Sequence, residues 1–220
     1  RRLFSARDDD PFDLLIKQRS FGIHARAIAK ALDPTLLVII RHPCAVVAST
    51  LRGHRSGLMH IQAKCEWLEF HGCQAEQLGF DRQSVLGMDP VEFLALDWLV
   101  ENAEYERSVE THSDSMIVVY EDLCRRSVDV ISNVFGLLGW ELTKRTLKFI
   151  ESSTGTHRRF RPILHSANTY FSVYQDSTKT CESWRTQLSS EQSDRILSIT
   201  EPVSDRYWPR TRERVRSSVL

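Results

Sequence analysis

Arg41 is the residue best placed to do chemistry. It closes the apolar run Leu36-Leu37-Val38-Ile39-Ile40 and stands two residues before Pro43. Five consecutive apolar residues, β-branched at the end, suit a strand buried on both faces. Pro43 fixes φ and suits the first turn of a helix, where its missing N–H costs nothing. The spacing predicts strand, tight turn, helix, with a permanent cation at the strand's C-terminal end. In an open α/β sheet ligands bind at that edge, and a helix start beside a guanidinium suits a phosphate or sulfate group. The competing reading is a strand-end arginine that is only solvated or ion-paired.

Two further clusters invite chemistry. His60, Cys65, His71 and Cys73 suggest zinc, but their spacings do not repeat the paired short intervals of structural zinc sites. A helix would scatter them over several faces, so no metal is expected. His157-Arg158-Arg159-Phe160-Arg161 is a basic cluster with one aromatic, read either as an RNA contact or as a solvated loop. Trp67, Trp98 and Trp140 are expected in the core.

The rest of the composition limits what these residues can serve. A chain of 220 residues can bury a full core, and one domain over 1–220 is expected. Lys plus Arg number 29 and Asp plus Glu number 29, so the net charge is zero and a dominant nucleic-acid surface is not indicated. No apolar run reaches the length of a membrane span, and there is no signal-peptide pattern. The five cysteines at 44, 65, 73, 124 and 181 are odd in number and scattered. They read as free thiols in a reducing, cytoplasmic compartment rather than as a disulfide frame. The chain begins at Arg1 rather than Met, which raises the expectation of a missing upstream part.

The elements that must position Arg41 follow from the apolar pattern. Phe12 to Lys17 reads as a short strand ending in a cation. Phe21 to Leu32 reads as an amphipathic helix with an apolar face at 21, 23, 27, 28, 31 and 32, stopped by Asp33-Pro34. With the strand at 35–41 this makes a βαβ unit with parallel strands. Arg52 to Met59 reads as a loop, His60 to Leu78 as a helix carrying Trp67, Leu68 and Phe70, and Asp81 to Asp89 as a polar connection. Pro90 to Val109 is a strong helix. Met116 to Tyr120 is continuously apolar and reads as a buried strand. Helices are expected at Val128–Leu138, closed by Gly139, at Thr143–Ile150, and at Ser190–Ile199, capped by Ser189 or Ser190. Ser152 to Lys179 has little periodicity, and a long irregular stretch of that kind is often functional. The basic tail from Arg206 to Leu220 is expected to fray. Strands alternating with helices give an α/β class, a mostly parallel sheet flanked by helices.

Arg41, Pro43 and Ser49 together resemble the 3′-phosphate-binding segment of the sulfotransferases that use 3′-phosphoadenosine 5′-phosphosulfate (PAPS). That family has an apolar strand, then Arg-x-Pro, then a Ser eight residues after the Arg. Tyr120-Glu121-Asp122-Leu123 is similar to the family's segment at the end of a core strand, whose Tyr lies near the adenine and phosphate. Asp176 to Leu188 resembles the late loop that closes over the cofactor, with Trp184-Arg185 as its Trp-basic pair and Lys179 as the one basic residue for the phosphate. Arg206-Tyr207-Trp208-Pro209 resembles the family's aromatic ending. The resemblance spans about residues 13 to 210. It implies a P-loop-like sulfotransferase fold with PAPS as co-substrate, no metal, and a small-molecule or carbohydrate acceptor. Arg41 and Ser49 would hold the 3′-phosphate, a dianion matched by a guanidinium and a hydroxyl. Tyr120 and Lys179 would line the nucleotide. The His157 cluster would lie over the cofactor or an anionic acceptor, with Ser152, Ser153 and Thr154 on the adenine side. The helical stretch 60–110 would shape the acceptor pocket.

Two family features have no match. No Gly-rich loop for the 5′-phosphosulfate follows a strand in the first 35 residues, so the domain is expected to be N-terminally incomplete. The family's Lys-x-His becomes Lys17-Gln18-Arg19, and Arg cannot act as a base. Lys17 would stabilise charge on the transferring sulfuryl group. The base is then His24 or a residue of an upstream segment. Two alternatives stand beside the transferase: a catalytically incomplete nucleotide-binding or interaction module of the same fold, and a P-loop kinase relative.

Overall fold

The computed structural model describes residues 15–17, 22–154 and 181–209. Its centre is a helix rather than the sheet. α5 (Pro90–Glu110) begins with Pro90 at its first position behind a reciprocal cap, in which Asp89 accepts from the backbone N–H of Val91 and Glu92 while the Glu92 side chain accepts from the Asp89 N–H. Residues from this helix enter both hydrophobic clusters: Phe93, Leu96 and Leu99 in one, Val91, Leu94 and Ala95 in the other.

Around it the chain forms α1 (Gly22–Leu32), β1 (Leu36–Ile40), α2 (Pro43–Arg55), α3 (Lys64–Gln77) and α4 (Arg82–Gly87) before α5. After it come β2 (Ser115–Val119), α6 (Tyr120–Arg125), α7 (Ser127–Leu137), α8 (Lys144–Thr154) and α9 (Ser190–Tyr207), with a 3₁₀ turn at Ser183–Thr186. β1 and β2 pair in parallel, Leu36 with Ser115 through Ile40 with Val119, and α2 to α5 form the crossover between them. The α/β class expected from the pattern is what the fold shows: a parallel sheet flanked by helices. α9 packs on α5 and α2, and α1 packs on α5. Arg195 of α9 reaches back to the α5 cap, 2.7 Å from Asp89 Oδ2 and 3.3 Å from Glu92 Oε1.

Several expectations change. Leu15 to Lys17 are in no strand and are exposed, while 12–14 lie outside the described residues. A short apolar run makes a strand only with a partner to pair with, and β1 takes β2 instead. α1, packed on α5, buries Ala25 and Ala29, holds Ile28 half-buried and leaves Leu32 61% exposed. Of the loop expected over Arg52–Met59, Arg52 to Arg55 are the last turn of α2 and 56–59 are non-helical; a short helix (α4) sits inside the connection 81–89, and α9 continues through Pro202 to Tyr207. Trp140 is exposed rather than core, whereas Trp67 and Trp98 are buried. β2 buries only Val118, and Tyr120 opens α6 instead of ending the strand. Arg206 does not fray: it pairs with buried Glu106 at 3.0 Å. Residues 155–180 and 210–220 lie outside the description.

Candidate functional site

Both strands end at one rim. Ile40 pairs with Val119, so Arg41 and Tyr120 leave the sheet side by side, followed by His42 and Glu121. Arg41 and His42 are successive residues past the strand end and Tyr120 and Glu121 open α6, and the contacts of the four divide into two sides. On one side the Arg41 guanidinium carbon lies 4.9 Å from the centre of the Tyr120 ring, a cation–π separation. On the other, the His42 backbone N–H donates to Glu121 Oε1 at 3.1 Å. The His42 ring stacks on Trp184 with centroids 4.7 Å apart, and Trp208 meets it edge-on at 5.2 Å. The Trp98 indole N–H donates to the Arg41 carbonyl at 3.0 Å, which fastens the rim to α5.

A cavity of about 180 Å³ opens on the second side, lined by His42, Glu121, Arg125, Cys181, Trp184 and Trp208 among others. Glu121 is 5% exposed. Its Oε2 has no hydrogen-bond partner among the described residues. Burial pushes this carboxyl above the usual range, against the opposing hydrogen bond from His42. The walls carry charge of both signs: Arg125 pairs with Glu182 at 3.2 Å, and the Arg185 guanidinium lies 4.5 Å from the Trp184 ring.

Two thiols lie near this rim, Cys181 in the cavity wall and Cys124 on α6. Cys124 lies one turn after Tyr120 on α6. Hydrogen bonds from the Cys181 thiol and the Tyr120 hydroxyl hold its thiol down to about 7, with burial opposing. Burial, together with the bond to Cys124, pushes Tyr120 up to about 12. Cys181 moves up, chiefly through its bond to Cys124. A second polar cluster lies on the α3 side of α5. There Trp67 Nε1 donates to Asp97 Oδ1 at 2.6 Å, and His71 stacks on Trp67 at 4.9 Å. Burial raises the Asp97 carboxyl and lowers His71.

The fold brings Arg41 and Tyr120 together. Ser49 is half-buried in the second turn of α2, about 9 Å along the axis from Pro43 at 1.5 Å per residue, and it does not line the cavity. Lys17 and His24 are exposed and do not line it either; His24 stands near the start of α1, close enough for its charge to act on His71. Lys179, the side chains of Ser152 to Thr154 and the His157–Arg161 cluster lie outside the described residues. Sequence reasoning passed over His42 and Glu121 as site residues and read Cys124 and Cys181 only as free thiols. The signal for the first two was their place next to Arg41 and Tyr120 at the ends of the two apolar runs. The thiol pair had none, because residues 124 and 181 meet only in the fold. Among the described residues no three His, Cys, Asp or Glu side chains are grouped to hold a metal ion, and no helix is long and apolar enough to cross a membrane.

No family model matches the chain, and no curated protein matches it. Among solved structures it is similar to the sulfotransferase domain from the curacin biosynthetic pathway, with 14% identity and a TM-score of 0.47. The alignment covers 82% of this chain, which spans 59% of that one.

Proposed function

We propose that this chain is a sulfotransferase domain that moves a sulfuryl group from PAPS to a hydroxyl or amine of a small-molecule or carbohydrate acceptor. The observation that carries the reading is the guanidinium of Arg41, held over Tyr120 where β1 gives way to α2. A helix start and a fixed cation at a parallel sheet's C-terminal edge form an anion site, and the segments around 41, 120 and 184 carry the family resemblance in the right order. In this reading Arg41 and Ser49 grip the 3′-phosphate, and Tyr120 and Lys179 line the nucleotide. Lys17 serves the sulfuryl group and His24 is the candidate base. Transfer breaks the bond between sulfur and the 5′-phosphate oxygen and forms one to the acceptor, whose proton passes to the base. Such a transfer is in-line and catalysed by positioning and charge stabilisation.

Titration calorimetry with the desulfated product, 3′-phosphoadenosine 5′-phosphate (PAP), tests the site. Arg41→Ala is expected to lose roughly 2–4 kcal/mol of binding, the cost of leaving a phosphate without its paired charge. Equal affinity in both proteins overturns the assignment. A second reading, a nucleotide-binding module without turnover, is favoured by the exposure of Lys17 and His24 away from the cavity. It predicts PAP binding with no transfer from PAPS.

A further inference from the structure

We propose that the cavity at the rim is a binding site for a small apolar ammonium ion, held by the Glu121 carboxylate. The inference does not depend on the sulfotransferase reading.

The carboxylate comes first. Glu121 lines the cavity and is 5% exposed. One of its oxygens is fixed, since Oε1 accepts from the His42 backbone N–H at 3.1 Å. The other, Oε2, is buried and has no hydrogen-bond donor among the described residues. A buried carboxylate oxygen without a donor costs free energy, and a ligand that brings the donor removes that cost. A cationic donor suits the place best, because it supplies the hydrogen bond and the counter-charge together. Burial raises the Glu121 carboxyl, with the His42 N–H bond and the charges of His42 and Arg41 opposing. An ammonium at Oε2 joins the opposing side, so binding favours the ionised form.

The other charges of the wall are set against partners within the fold. Arg125 pairs with Glu182 at 3.2 Å, and Asp122 pairs with Arg126 at 3.3 Å. The Arg185 guanidinium lies over the Trp184 ring at 4.5 Å. An anionic ligand would have to draw one of these guanidinium groups away, whereas a cation at Glu121 displaces nothing. Arg41, which the sulfotransferase reading assigns to a phosphate, sits over Tyr120 and does not line the cavity. Size and lining set the rest of the ligand. The volume of about 180 Å³ is of the order that admits a single benzene-sized group, and Val119, Tyr207, Trp208 and Pro209 give it apolar wall.

Benzylammonium, benzyl alcohol and benzoate share one ring and differ in charge, and they serve as the probes. Each is titrated into the full chain near neutral pH, and the tryptophan indole N–H groups are followed by NMR. Benzylammonium is expected to bind roughly tenfold tighter than benzyl alcohol, the difference between a charged and a neutral partner for one buried oxygen. The shifts are expected at Trp184 and Trp208 and not at Trp140, which is exposed and does not line the cavity. Glu121→Gln keeps an oxygen for the His42 N–H and puts an amide NH2 where Oε2 stood. This variant is expected to lose the preference for the cation while still binding benzyl alcohol. No binding of benzylammonium, equal affinity for the three probes, tighter binding of benzoate, or shifts confined to tryptophans outside the cavity overturns the proposal. The ranking of probes on the wild type decides even where the variant folds poorly. Titration of Arg41→Ala with PAP succeeds or fails separately, since Arg41 lies outside this wall.

Discussion

Glu121 shows how a single side chain is set by its place at the rim. One of its oxygens accepts from the His42 N–H, and the other faces no donor among the described residues. Its folded-state pKa lies above the ordinary value. Between those two values the folded chain holds a proton that the unfolded chain has released, so stability falls as pH rises through that window. Glu121→Gln keeps an oxygen for His42 and removes the titration. Thermal unfolding across pH is expected to show the wild type losing stability relative to this variant as pH climbs from about 4 toward neutrality; parallel curves would contradict it. Arg41 was legible in the sequence because a strand-ending run and a following proline mark its position. Glu121 was not, because the burial that perturbs it comes from residues far along the chain, at 184 and 208.

At the scale of elements, α5 was the most legible part of the chain and also the part most dependent on its start. Asp89 accepts two backbone N–H bonds and pairs with Arg195 of α9. Asp89→Ala removes the cap and this tie together, and the expected loss is about 1–2 kcal/mol in urea unfolding. Asp89→Asn keeps the cap oxygen and is expected to recover most of it. The elements that sequence reasoning misread share a physical cause. Leu15–Lys17 is apolar enough for a strand, but pairing is decided by neighbours the run itself does not reveal. In α1 the large apolar side chains suggested the buried face. Among the described side chains the helix buries Ala25 and Ala29 and leaves Leu32 exposed. The late helix was expected to end at Ile199, yet Val203 and Ser204 beyond Pro202 are buried, and that packing carries the helix on to Tyr207.

Across the whole molecule, stability is concentrated on α5, which serves both apolar clusters. Leu96 has no exposed surface and packs with Ile40, Trp67 and Val203 in the larger cluster. Leu96→Ala is expected to cost about 2–5 kcal/mol, read as a lowered denaturation midpoint with an unchanged slope. The class of fold, both strands of the sheet and the long helix α5 could be read from apolar period and breakers alone. The cavity could not, because its walls come from the ends of β1, β2 and α9 and from the 3₁₀ turn, and no local pattern encodes their meeting. One consequence follows from how the two strands terminate. Arg41 and His42 are adjacent between the end of β1 and Pro43, and they face different neighbourhoods. Deleting or inserting one residue between Ile40 and Pro43 would exchange the two: imidazole would face the tyrosine and guanidinium the tryptophans. The spacing from strand to proline is therefore intolerant of length change even where single substitutions are accepted.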